Sequence, residues 1–167
     1  KTFLGFTGDR VTEKDTEALF DAAEKAFAQP DWEKQVFAKT KLEKIFLTNE
    51  FDDPLTGFDT NLYVPCLRTD TLVFHLDKPE TKARIAKATG VEVGDAASLK
   101  NAIRKLFEHF VSKNAKACAI SLPPSFAPQK SAAGTTSPEG VFWTLAEHCR
   151  EYTLPFDLMI GVNRRVY

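Results

Sequence analysis

The sequence is short of the features that mark most specialised classes of protein. It has three cysteines, an odd number, and Cys66, Cys118 and Cys149 stand far apart with no CxxC pair. That pattern argues against a disulfide framework and against a zinc knuckle, and a reducing compartment fits it best. No apolar run is long enough to span a bilayer, so no membrane partner is expected and the cytoplasm is the expected location. The formal net charge is only -1, and Lys and Arg are spread through helical stretches rather than massed. A basic footprint for nucleic acid or anionic lipid is therefore lacking. No Gly-rich phosphate loop follows any of the apolar runs. Methionine occurs once, whereas phenylalanine occurs 14 times.

What is present is an ordinary globular composition, 43% hydrophobic and 27% charged over 167 residues, which is enough chain for one domain with a real core. Helix signals come first. Thr12 is placed to cap a helix with early acids and with Leu19, Phe20, Ala23 and Phe27 at helical spacing. Asp31 caps a second, shorter one carrying Trp32, Val36 and Phe37. Lys78 to Thr89 reads as a helix opened by Pro79 and stopped by Gly90. The strongest helix follows Ser98, expected as its cap, with Leu99, Ile103, Leu106, Phe107 and Phe110 on one stripe. A last one starts at Ser137 and Pro138 and runs through Cys149. Between them lie apolar runs expected as strands: 44–49, 63–68, 116–122 and 156–162. The loop Glu50–Asp59, with four carboxylates, is expected to be solvated, and 125–137 reads as a strand-to-helix loop.

Helices alternating with strands predict an α/β fold built of right-handed βαβ units around a parallel sheet. An open doubly wound sheet and a closed barrel both satisfy that order. The lack of a phosphate loop removes the main positive sign of a nucleotide-binding open sheet. Polar residues gather just past each strand: Asn49 and Glu50, Arg68 and Asp70, Ser121, then Asn163, Arg164 and Arg165. In a barrel such positions converge on one mouth. Four strands do not close a barrel of eight, so residues 1–167 are expected to be part of a single (β/α)8 barrel domain that continues beyond both ends of the sequence.

At Lys44-Ile45-Phe46-Leu47-Thr48-Asn49-Glu50-Phe51-Asp52-Asp53-Pro54 the sequence resembles the second-strand segment of the uronate isomerases, a branch of the amidohydrolase superfamily of metal-assisted barrels. Val64-Pro65-Cys66-Leu67-Arg68-Thr69-Asp70 resembles the family's third strand, Ala119-Ile120-Ser121-Leu122-Pro123-Pro124-Ser125-Phe126 its fourth, and the run from Pro155 to Val166 its fifth. The resemblance implies a partial TIM barrel, strands two to five with their helices, from an enzyme that interconverts an aldohexuronate, glucuronate or galacturonate, and its ketose. It also implies a divalent metal such as zinc held by a His-x-His pair of strand one, and a catalytic Asp of strand eight, neither of which belongs to these residues. No metal ligand is assigned here, because His75, His109 and His148 are not spaced as ligands. The expected partners are the hexuronate and the remaining half of the same barrel, or another chain supplying it.

No catalytic residue is assigned within the chain. Arg68 is carried over as a substrate-binding residue, since the family has an arginine at the end of this strand against the sugar acid and a guanidinium fork suits a carboxylate. An ion pair with Asp70 is the structural alternative. Asn49, at the equivalent position of the preceding strand, is the second substrate-binding candidate, able to orient a sugar hydroxyl or only to cap the acidic loop. Asp52 and Asp53, adjacent and followed by Pro54, read as turn formers more readily than as an acid and base pair. Ser121 stands where some relatives carry an acid, so that acid's role does not transfer. A metal-dependent hydrolase on the same barrel, and a non-catalytic interaction module, remain as competing readings.

Overall fold

The structure is a computed structural model that describes residues 3–161. The chain divides into two compact units, one ending at Glu43 and one beginning at Lys44. The first contains α1 (Glu13–Phe27) and α2 (Trp32–Thr40). Its start is set as the sequence predicts: the Asp15 carboxylate accepts from the Thr12 backbone N–H at 2.9 Å and from the Thr12 hydroxyl at 2.7 Å. Phe27 meets the edge of Trp32 at 5.4 Å between ring centroids. Ala26 is the buried residue of α1, while Phe20 and Phe27 stay largely exposed.

The second unit carries the sheet. Its elements are β1 (Ile45–Phe46), β2 (Asn49–Glu50), β3 (Tyr63–Val64), β4 (Cys66–Arg68), α3 (Asp70–His75), α4 (Pro79–Thr89), α5 (Ala96–Ser112), β5 (Ala117–Leu122), α6 (Pro138–Glu151) and β6 (Phe156–Ile160), with a 3-10 turn at Lys130–Ala132. β2, β4, β5 and β6 form a four-stranded sheet in that order, every pair parallel. β1 and β3 make a separate parallel pair. Parallel neighbours require crossovers: α3, α4 and α5 lie between β4 and β5 and α6 between β5 and β6, whereas residues 51–62 connect the first pairs without a helix. The α5 stripe is buried as its spacing demands: Leu99, Ile103, Leu106, Phe107 and Phe110 join Leu67, Cys118, Ile120, Val141 and Leu145 in one core. Strand alternation then puts Cys66, Arg68, Ala119 and Ser121 on the face opposite that core.

Several expectations change in detail. Each of the first two expected strands, 44–49 and 63–68, is interrupted. Pro65 has no N–H to give to the ladder, and the break between β3 and β4 is matched by one between β1 and β2 in the same register, Ile45 opposite Tyr63 and Asn49 opposite Leu67. The strongest helix is capped by Asp95, not Ser98. Ser98 N–H donates to Asp95 Oδ1 at 2.8 Å while Asp95 N–H donates to Ser98 Oγ at 3.0 Å, a reciprocal box that starts the helix at Ala96. The helix α3 is additional. Its six residues offer no full period to recognise, and it begins directly where β4 ends. Gly90 ends α4 as expected, in the left-handed region at φ 69°, where its N–H donates to Ala86 O at 2.7 Å. Among the described residues no helix is long and apolar enough to cross a membrane.

The acidic loop is not simply solvated, because it contains two core anchors. Phe51 and Leu55 are fully buried. Asp53 accepts from the Leu55 N–H at 2.7 Å and from Asn49 Nδ2 at 3.0 Å, the turn-forming use expected of it. Asp52 is held from outside the loop: Arg84 of α4 donates to it through Nε at 2.8 Å and Nη2 at 2.6 Å. The same guanidinium lies 4.7 Å from the Phe51 ring centroid. One arginine therefore fastens the strand-end loop to a helix by charge, fork geometry and a ring face.

Asn49 supplies a bond that the Pro65 break leaves open, since its Oδ1 accepts the Cys66 backbone N–H at 3.4 Å. Asn49→Ala leaves a buried N–H without that acceptor and should lower unfolding free energy by about 1–3 kcal/mol; an unchanged denaturation midpoint would show that the amide does not hold the break together. The Arg84 fork beside Asp52 holds its carboxyl below the usual carboxylate range, against the opposing effect of burial. Because the folded value lies below the unfolded one of about 3.9, the pair's stabilisation is complete above the unfolded value and disappears as pH falls through the folded one. The stability gap between the parent protein and Arg84→Met should thus narrow from pH 5 downward in urea titrations, and a gap independent of pH would assign the loss to something other than this pair.

Candidate functional site

The C-terminal ends of β4 and β5 open into a cavity of about 380 Å³ lined by Arg68, Asp70, Thr71, Phe74, His75, Ser121, Leu122 and Pro123. Parallel pairing creates it: Arg68 stands opposite Ala119 in register, so Ser121, two residues further along β5, lies beyond it on the same face. The next layer is a strand turning into a helix. Thr69, fully buried, donates from both its N–H and its hydroxyl to Ala119 O, each at 3.0 Å. That double bond to β5 fixes the turn and places Asp70 and Thr71 beside the cavity.

Arg68 is held but not saturated. Its Nε donates to Asp70 Oδ2 at 3.3 Å, and its Nη1 lies 3.8 Å from Glu50 Oε1. Glu50 is shared: its Oε2 accepts from the Thr71 hydroxyl at 3.3 Å and lies 3.5 Å from Arg84 Nη2. The ion pair with Asp70 weighed from the sequence is therefore present, and the same arginine faces the cavity. Asp70 and then Glu50 push the Arg68 pKa further up, so its charge is permanent. These two partners leave Nη2 and part of Nη1 without a bond among the described residues.

The other candidates are sorted by the same geometry. Asn49, 8% exposed, has both ends of its amide engaged within the chain, with Cys66 and with Asp53. His148 is fully buried, with Nδ1 3.1 Å from Glu151 Oε2 and Nε2 3.3 Å from Lys100 O. His109 Nε2 is 3.1 Å from Asp53 O and borders a different cleft of about 330 Å³, between the acidic loop, α4 and α5. His75 alone of the three lines the strand-end cavity. Asn163, Arg164 and Arg165 lie outside the described residues. Among the described residues no group of three or more His, Cys, Asp or Glu side chains could hold a metal ion.

Cys66 and Cys118 are thiols at neutral pH. Burial, with Asp157 and Cys149 adding to it, pushes Cys66 up to about 11. Hydrogen bonding with Cys149, together with burial, raises Cys118 well above its ordinary value. Neither is an activated nucleophile, since activation requires the opposite shift. Sequence reasoning had no hold on Thr71, Phe74 and His75, because they reach the cavity only through α3. The signal that could have found them is the run Arg68-Thr69-Asp70-Thr71: a strand end followed by residues that favour helix starts.

Comparison of the sequence with family models gives no match, and comparison with curated proteins gives none either. The fold does match solved structures. Glucuronate isomerase from Caulobacter crescentus superposes with a TM-score of 0.74 at 15% identity, covering 98% of this chain and 40% of that one. Uronate isomerase from Thermotoga maritima gives 0.68 at 17% identity, covering 90% and 40%. An uronate isomerase from Bacillus halodurans gives 0.68 at 22% identity, covering 91% and 37%. The chain thus spans about 40% of the length of the first two and slightly less of the third. At these identities the likeness is one of fold, and the partial α/β barrel expected from the sequence is the fold found.

Proposed function

We propose that this chain forms part of the substrate cavity of a uronate isomerase, an enzyme interconverting an aldohexuronate such as glucuronate or galacturonate with its ketose. The observation that carries the reading is Arg68, a permanently charged guanidinium at the C-terminal end of a parallel strand, with N–H groups that have no bond among the described residues and line a cavity of about 380 Å³. That is the end at which barrel enzymes work, and the volume suits a small molecule. The three solved structures named above support the choice of a sugar acid over other anions.

In this reading Arg68 binds the carboxylate end of the open-chain sugar and so orients the carbons between which hydrogen moves. The base that moves the proton is supplied by strands outside the chain. No ligand set for a divalent metal such as zinc lies among the described residues, so a metal used by the full-length protein would be held by residues outside them. The remaining barrel strands, from the same polypeptide or another, are the structural partner. Their contact region includes β6, where Leu158, Met159 and Ile160 are all exposed.

The full-length protein should turn over glucuronate or galacturonate, and Arg68→Ala should lower kcat/KM by more than tenfold, a loss of about 1.4 kcal/mol or more in transition-state binding. Residues 1–167 alone should show no isomerase activity. Unchanged kinetics in the Arg68 variant would remove this residue from the site, and failure of the full-length protein on both uronates would remove the reading.

A further inference from the structure

Resting on the reading of this cavity as a sugar-acid site, we infer that Asp70 is its specificity-determining residue: it selects acids that carry a hydroxyl on the carbon next to the carboxylate. Arg68 and Asp70 both line the cavity, and the bond from Arg68 Nε to Asp70 Oδ2 at 3.3 Å fixes one against the other. After that bond is made, the guanidinium retains N–H donors, and Asp70 retains Oδ1, which has no hydrogen-bond partner among the described residues. The Asp70 side chain is 20% exposed, so Oδ1 is accessible rather than sealed.

The cavity therefore presents a cationic donor and an anionic acceptor side by side. A ligand matching both has acceptor oxygens and a donor hydroxyl on adjacent carbons. Its carboxylate accepts from Arg68, and its hydroxyl donates to Asp70 Oδ1. Both acids bring a carboxylate charge beside Asp70, but the one lacking that hydroxyl has nothing to offer Oδ1, so the repulsion is not offset by a bond. Glu50, 3.8 Å from Arg68 on its other side, adds to the repulsion for either ligand and does not distinguish them. Asp70 thus repels both carboxylates and bonds only the hydroxylated one, so removing its charge relieves the plain acid while the hydroxylated acid loses a charged acceptor that outweighs the relief.

The test uses the full-length protein and two ligands that differ by one oxygen, D-gluconate and 2-deoxy-D-gluconate, with dissociation constants from calorimetry or from competition against uronate turnover. The parent protein should bind gluconate at least tenfold more tightly than its deoxy analogue. In Asp70→Asn that preference should fall below threefold, with the deoxy acid bound more tightly than by the parent protein and gluconate less tightly. A residue that only supported the fold would weaken both together. Equal binding of the two acids by the parent protein overturns the inference without any variant, and so does an undiminished preference in Asp70→Asn while uronate turnover persists. Binding of both acids that is indifferent to Arg68→Met overturns it by a different route, because the reading of the cavity as a sugar-acid site then fails as well.

Discussion

Parallel pairing is the constraint on which the rest depends. When β2, β4, β5 and β6 all run the same way, their C-terminal ends emerge at one edge, and the residues just past them are brought together whatever their separation in sequence. Arg68 and Ser121 line one cavity for that reason. The helices are what make the parallel arrangement affordable. α5 alone contributes five large buried side chains to the core, each worth roughly 1.5–3 kcal/mol of burial, which offsets the ordering of the long crossovers. The core lies on the helix-facing side of the sheet, so the opposite face is left for polar groups.

The interruption at Pro65 shows how that arrangement tolerates a local fault. A proline in a strand with neighbours removes a ladder bond, and an unpaired backbone N–H nearby costs more than the bond's net worth. Here both neighbouring strands break together in register, and Asn49 places a side-chain oxygen where the ladder fails. The same asparagine steadies Asp53, and Asp53 shapes the turn that lets Phe51 and Leu55 enter the core. Asn49 thus connects the strand break to the burial of the loop after it.

What could be read from the sequence follows from the range of the forces involved. The α5 stripe, the stop at Gly90 and the start at Ser137 depend on neighbours within about one helical turn, and all three are where periodicity and caps placed them. The choice of Asp95 over Ser98 as cap turns on a reciprocal pair whose two members are both good caps, so composition alone does not decide between them. The fully buried Phe51 was hidden by its acidic surroundings. Arg84, 33 residues later in sequence, pairs with Asp52 beside it and lies against the Phe51 ring, a long-range partnership that local pattern does not reveal. For the cavity, Arg68 was legible because a strand end and a resemblance coincide there, whereas Phe74 and His75 depend on a six-residue helix with no period to detect.

The sheet's last strand stands apart in how much apolar surface it leaves uncovered among the described residues. Phe156–Ile160 has apolar residues on both faces, the composition of a strand covered on two sides, yet Leu158 and Ile160 on one face and Met159 on the other are exposed among the described residues. Five residue pairs join β6 to β5, so the strand is firmly placed and its exposure is not a matter of fraying. Asp157, in register with Ala119 and through it with Arg68, shares the face with Met159 and is exposed as well. A carboxylate flanked by apolar neighbours on a firmly held strand is what a closed barrel would turn inward toward its mouth. On the proposed barrel reading, the apolar excess of β6 and the open side of the Arg68 cavity would have one physical origin, a sheet that is paired again at that edge.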